Sequence, residues 1–141
     1  MLHIYKASAG SGKTYTLTLE YIKLLLGYRD EEGHYRIYRK SDSAHRRILA
    51  VTFTNKATEE MKHRIVAQLD LLAHHTGRSP YLGELTRLFG CGPEQVQATA
   101  ADTLYVLLHD FSYFNISTID RFFQQVSVSY THLTLPTIRL V

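Results

Sequence analysis

Eight residues near the start of the chain have the types and spacing to hold a polyphosphate: Ala7, Ser8, Ala9, Gly10, Ser11, Gly12, Lys13 and Thr14. Gly10 and Gly12 lack Cβ atoms, so the backbone can curl and turn several N–H groups toward one anion. A helix starting near Lys13 adds the partial positive charge of its N-terminus. Lys13 can then reach β- and γ-phosphates and offset their charge, while the Thr14 hydroxyl is placed to ligate Mg²⁺. Ala7 stands where the strict phosphate-loop pattern has Gly, but it does not remove the amide cradle. The expected ligand is ATP or a close relative with Mg²⁺. All eight residues would bind it, and Lys13 and Thr14 would be the catalytic pair. The competing reading, a Gly-Ser turn that happens to precede a lysine, is decided by what flanks the loop.

The flanks suit a phosphate loop. Leu2–Lys6 is short, apolar and aromatic, and predicts a strand. From Lys13 to about Tyr28 no Gly but Gly27 and no Pro intervenes, and Leu17, Tyr21, Leu24 and Leu25 fall at helical spacing. Gly27 to His45 turns polar, as a surface connection or insertion. Ile48–Val51 is a continuous apolar run, which predicts a strand buried on both faces of a parallel sheet. Thr54 or Asn55 can cap the next helix, with Glu59 and Glu60 near its positive end. Ala57, Met61, Ile65, Leu69 and Leu72 would line its apolar face.

Further on, Ser79-Pro80 reads as a helix start and Gly90 as a stop. Pro93 opens another helix with Val96, Ala100, Leu104, Leu107 and Leu108 on one stripe. Phe114, Ile116 and Thr118 alternate with Asn115 and Ser117 as in a strand, and Asp120 to about Val126 looks helical. This order predicts an α/β fold: a phosphate-loop NTPase with a parallel sheet and a helical insertion.

At 141 residues the chain has the length of about one domain. No stretch approaches the ~20 apolar residues of a membrane helix, and no basic segment leads into an apolar core as in a signal peptide. The cytoplasm is the default location and no membrane partner is expected. Cys91 is the single cysteine, which rules out an internal disulfide framework and favours a small buried apolar residue. His74-His75 and the other histidines show no ligand spacing, so no metal beyond Mg²⁺ is expected. The ten tyrosines are expected to pack rather than form a stacking stripe. A net charge of +3 permits a nucleic-acid partner without demonstrating one.

A phosphate loop leaves the use of ATP open; two further blocks narrow it. Ile48-Leu49-Ala50-Val51-Thr52-Phe53-Thr54-Asn55-Lys56-Ala57, followed by Glu60-Met61 and Arg64-Ile65, resembles the second conserved block of superfamily 1 DNA helicases of the UvrD/Rep/RecB type. Ile116-Ser117-Thr118-Ile119-Asp120-Arg121-Phe122-Phe123 resembles the family's Ser-Thr-Phe/Ile-His-Ser-Phe block. The loop Ala7–Thr14 has the form seen in the RecB and AddA branch. The blocks stand in the family's order over residues 2 to about 126.

The resemblance implies a RecA-like motor domain, here partial, whose insertion at about residues 74–112 is closest to the RecB/AddA branch. It implies ATP-dependent 3′–5′ translocation on single-stranded DNA by the intact protein. It extends to a helicase–nuclease of double-strand break repair, with single-stranded or duplex DNA and a second helicase–nuclease subunit as partners. Phe53, Thr54, Asn55, Lys56, Ala57 and Thr118 would contact the strand. A threonine hydroxyl, a helix N-terminus and a lysine at a strand end suit a phosphate oxygen, and Phe53 offers a stacking face. The alternative stays open that Thr54 and Asn55 are helix caps and Phe53 is core. Asp120 stands where most of the family has His; a carboxylate repels phosphate, so a role supporting the contact residues from behind, or a capping role, is expected instead. Two other functions compete: a small phosphate-loop kinase or GTPase, for which no Asn-Lys-x-Asp pattern is present, and a non-catalytic ATP-dependent DNA-binding module.

Residues 127–141 fit nothing in the family, and the helical pattern of Arg121–Val126 breaks before them. They resemble a translated transposon-end adaptor from shotgun sequencing libraries, so a non-native read-through tail is expected. Residues 1–126 would then be the N-terminal part of an ATP-binding domain, lacking the acidic strand and second motor domain. Such a chain is expected to be inactive alone, since an arginine finger is worth about 10³–10⁵ in rate. Resequencing the locus checks the tail: the native codons should diverge after about Val126, and a native frame running through to Val141 would refute the assignment.

Overall fold

The computed structural model describes residues 11–129 and 137–140, with side chains over 15–124. The strand expected over Leu2–Lys6 and the loop residues Ala7, Ser8, Ala9 and Gly10 lie outside these residues.

Helix α1 spans Ser11–Leu26 and buries Leu17, Tyr21, Ile22, Leu25 and Leu26, with Leu24 half-buried. It stops where Gly27 must lie flat against its neighbours. A Cβ at Gly27 would meet the Arg36 carbonyl oxygen at 2.3 Å and the Phe89 ring at 2.4 Å. The polar stretch after it is an antiparallel hairpin, β1 (Gly27–Arg29) with β2 (Tyr35–Ile37). Its turn is made locally: the Asp30 carboxylate accepts from the N–H groups of Glu32 and His34, and Gly33 takes φ +87°. These are the turn chemistries of Asp and Gly. Thr99 donates from its hydroxyl to the Tyr38 carbonyl at 2.6 Å, and Asp102 accepts from the Ser41 N–H, tying the hairpin's exit to the core.

Strand β3 (Ile48–Thr52) is buried at every position. Ile48 and Ala50 join the main core, while Leu49 and Val51 form a second cluster with Ile119 and Phe122. It lies between β4 (Ile116–Thr118) and β5 (Thr137–Leu140), parallel to both. The expected parallel sheet is thus present, with its central strand covered on both faces.

Helix α2 (Asn55–His74) buries Met61, Ile65, Leu69 and Leu72 as its spacing predicts, while Ala57 is only half-buried and Thr58 takes the inner position. Because α2 begins at Asn55, Glu59 and Glu60 fall just beyond its first turn. Against it lies α4 (Pro93–His109) through Val96, Ala100, Leu104 and Leu107. Leu108, assigned to that stripe, is 51% exposed; the ~100° step after Leu107 carries it off the buried face. Between them sits α3 (Leu82–Phe89), which starts later than Ser79-Pro80 because Ser79 forms a turn accepting from Tyr81. It ends at Gly90 in the left-handed conformation at φ +60°. The predicted insertion is therefore helical, and its helices share one core with α1 and α2. Helix α5 (Ile119–Ser129) starts one residue before Asp120 and runs three past Val126, so the helix does not end where its sequence pattern breaks.

The tyrosines divide. Tyr21 and Tyr81 are buried, whereas Tyr15, Tyr28, Tyr35, Tyr105 and Tyr113 are exposed, against the packing expectation. At the entry to β3, buried His45 meets Asp110 at 2.6 Å, and Arg46 grips the same carboxylate at 2.6 and 2.8 Å. The Arg46 guanidinium, and then the His45 hydrogen bond, hold the Asp110 carboxyl down at about 2. This cluster fixes the end of α4 beside the start of β3.

Gly27→Ala should destabilise the fold by about 1–3 kcal/mol, because the methyl must displace backbone or Phe89. Thermal denaturation checks this; an unchanged melting temperature would show that the hairpin is not seated on Phe89.

Candidate nucleic-acid interface

The register of the parallel pair decides the geometry of the site. Thr52 of β3 lies opposite Thr118 of β4, so both strands end side by side. Their successors, Phe53–Lys56 and Ile119–Arg121, therefore leave the same edge of the sheet, each leading directly into a helix.

The first of these turns is tied down by threonines. Thr52 is buried, and its hydroxyl pairs with that of Thr58 at 2.5 Å and lies 3.1 Å from the Thr54 carbonyl. Thr54 is extended, and its Oγ1 accepts from the Ala57 N–H at 3.0 Å, capping α2. Sequence reasoning left Thr54 and Asn55 as alternative caps; Thr54 is the cap, and Asn55 is the first helical residue, exposed to solvent. Phe53 is 67% exposed, which removes the reading of it as core. Lys56 is exposed too, and Ala57 sits half-buried beneath them.

The second turn repeats the device. The Thr118 hydroxyl accepts from the Arg121 N–H at 3.4 Å. Of the two roles expected of Asp120, supporting or capping, the cap falls to Thr118. Asp120 is exposed in the first turn of α5, where a carboxylate is favourable beside the helix N-terminus. In both caps the hydroxyl accepts, which leaves its proton available to an outside acceptor.

The edge thus carries two helix N-termini, two capping hydroxyls, an exposed ammonium and an exposed aromatic ring. Amides and a cation attract a phosphodiester, and a ring can stack on a base. Sequence reasoning did not single out Thr52 and Thr58, whose pairing holds the turn. Their signal was a hydroxyl at the end of an otherwise apolar run with another six residues later.

Lys13 and Thr14 lie in the first turn of α1, with side chains outside the described part. Farther along this helix, Tyr15 packs on Tyr81 with ring centroids 4.6 Å apart, and the Tyr81 hydroxyl donates to the Tyr15 carbonyl at 2.9 Å. Among the described residues no group of three His, Cys, Asp or Glu side chains could hold a metal ion. Cys91 is half-buried, and burial pushes its thiol up. No described helix is long and apolar enough to cross a membrane.

The sequence model of the UvrD/REP helicase N-terminal domain matches residues 3–134. The chain belongs to this family. Its curated relatives include RecBCD enzyme subunit RecB of Buchnera aphidicola (Acyrthosiphon pisum strain), 50% identical over 64 residues, 45% of this chain and 5% of that protein. DNA helicase II of Haemophilus influenzae is 41% identical over 73 residues, 52% of this chain and 8% of that protein. The RecB subunit of the same organism is 42% identical over 64 residues, 45% of this chain and 5% of its own length. The chain therefore spans less than a tenth of these relatives. Within the UvrD/REP family its branch is not set apart by these matches, which carry both names.

Thr54→Ala should cost about 1 kcal/mol, the usual loss for a threonine N-cap. Chemical denaturation reads this; a variant as stable as the parent would mean that Thr54 does not hold the start of α2.

Proposed function

We propose that the intact protein is an ATP-dependent superfamily 1 DNA helicase that moves along single-stranded DNA in the 3′–5′ direction. The observation that supports this best is the Thr52–Thr118 register, which brings the two family blocks to one sheet edge. A strand crossing that edge would meet Phe53 as a stacking ring, and Thr54, Asn55, Lys56 and Thr118 as phosphate partners over Ala57. Because Thr54 and Thr118 already use their oxygens as caps, their part is to donate rather than to accept.

On the nucleotide side, Ala7–Gly12 would cradle the phosphates through backbone amides, Lys13 would offset their charge and Thr14 would hold Mg²⁺. The metal, when bound, neutralises charge developing on the transferred phosphoryl group. The helical conformation of Lys13 and Thr14 in α1 suits this assignment, since the phosphate-loop motif runs into a helix. The printed name of the RecB relatives, a subunit of the RecBCD enzyme, supports a second subunit as partner for this chain.

Fluorescence anisotropy with a labelled oligothymidylate tests the DNA surface on the purified chain. Affinity should fall linearly in log–log form with added salt, and Lys56→Ala should lower both the affinity and the magnitude of that slope by about one contact. Phe53→Ala should weaken binding with little change in the slope, because stacking releases no counterions. Binding that neither variant alters would place the strand elsewhere.

A further inference from the structure

A cavity of about 280 Å³ opens beside β4, the edge strand of the described sheet. It is lined by Lys62 of α2, Arg121 of α5, Ser117 of β4, Asn115, Ser112 and the Phe111 ring, among others, and no carboxylate lines it. Lys62 and Arg121 form no ion pair among the described residues; Lys62 instead lies over the Phe111 ring at 5.5 Å. The Ser117 hydroxyl is buried and has no hydrogen-bond partner. Lys62 is half-buried and Arg121 exposed, so both cations are open to an incoming anion, and the Ser117 hydroxyl is the one buried group here that lacks an acceptor.

We propose that this cavity is a binding site for a phosphate monoester. Charge selects the class: two cations and no carboxylate disfavour a metal ion, an amine or a neutral sugar and favour a dianion. Hydrogen bonding narrows it further. Lys62 and Arg121 have only donors, and Ser117 has a proton with no acceptor, so these three suit a ligand rich in acceptors, while Asn115 and Ser112 can either donate or accept. Size agrees: the volume is at the lower end of pockets that enclose ligands, about 300–1,000 Å³. Phe111 and its edge-on neighbour Phe114, with rings 5.5 Å apart at 76°, form the apolar wall behind Lys62. The same chemistry is offered by free phosphate and by the 5′-phosphate that ends a nucleic-acid strand.

This site is separate from the residues proposed to contact DNA at the sheet edge, and its test does not depend on them. Inorganic phosphate titrated into the full chain, at ionic strength held constant with chloride, should shift the amide resonances of Ser117 and Arg121 saturably. Lys62→Met and Arg121→Gln should each weaken binding about tenfold, the scale of one charge-assisted contact. Ser117→Ala should weaken it several-fold without lowering the melting temperature, since it removes a hydroxyl that bonds nothing in the free protein. Oligonucleotides of one sequence, with and without a 5′-phosphate, then separate the sources. A preference for the phosphorylated strand that disappears in Arg121→Gln identifies a strand end; saturable phosphate binding with no such preference identifies a small ligand. Lys56→Ala should leave phosphate binding unchanged, so failure of the sheet-edge reading and failure of this one are read separately. Resonance shifts that do not saturate, or that all three variants leave unaltered, would overturn the proposal.

Discussion

The described structure depends on the burial of β3 and on its register with β4. Every residue of Ile48–Thr52 is buried, with alternate side chains committed to two different clusters. A slip of one residue would exchange Ile48 and Ala50 with Leu49 and Val51 and undo both clusters at once. With the register fixed, Thr52 and Thr118 are opposite each other, and α2 and α5 must start at the same edge. Everything at the candidate interface follows from that one alignment.

The threonines at this edge have structural roles of their own. Thr54 and Thr118 satisfy helix amides that would otherwise have no partner, and Thr52 with Thr58 closes the turn between strand and helix. A tightly held turn keeps Phe53 and Lys56 on the outside, since neither has room beneath the cap. An exposed phenylalanine at 67% is unusual beside a core strand, and it stands where the backbone is most constrained. Preorganisation of this kind lowers the entropy lost when a flexible strand is bound.

The helices between the second and third blocks are not an appendage. Leu85 and Phe89 of α3 and Val96 to Leu107 of α4 enter the same core as α1 and α2. The Tyr15–Tyr81 contact links α1 to the segment leading into α3. The Asp110 cluster links the far end of α4 to the entry of β3. Packing thus connects the first turns of α1 with the strand that carries the second block.

Much was legible in the sequence because it followed from local chemistry. The apolar run Ile48–Val51 could only be a two-sided strand, Pro93 and Gly90 punctuated helices, and Met61, Ile65, Leu69 and Leu72 drew one face of α2. The motif order over three blocks was enough to place the chain in the UvrD/REP family. Tertiary structure decided what spacing cannot encode. Which of Thr54 and Asn55 capped α2, and that Thr118 rather than Asp120 capped α5, depended on backbone angles at each turn. That Phe53 faces solvent depended on which side of the strand end was already filled. That Lys62 shares a cavity with Ser117 and Arg121 depended on strand register and helix placement, since Lys62 lies far back in the chain on α2 while the other two stand four residues apart in the third block.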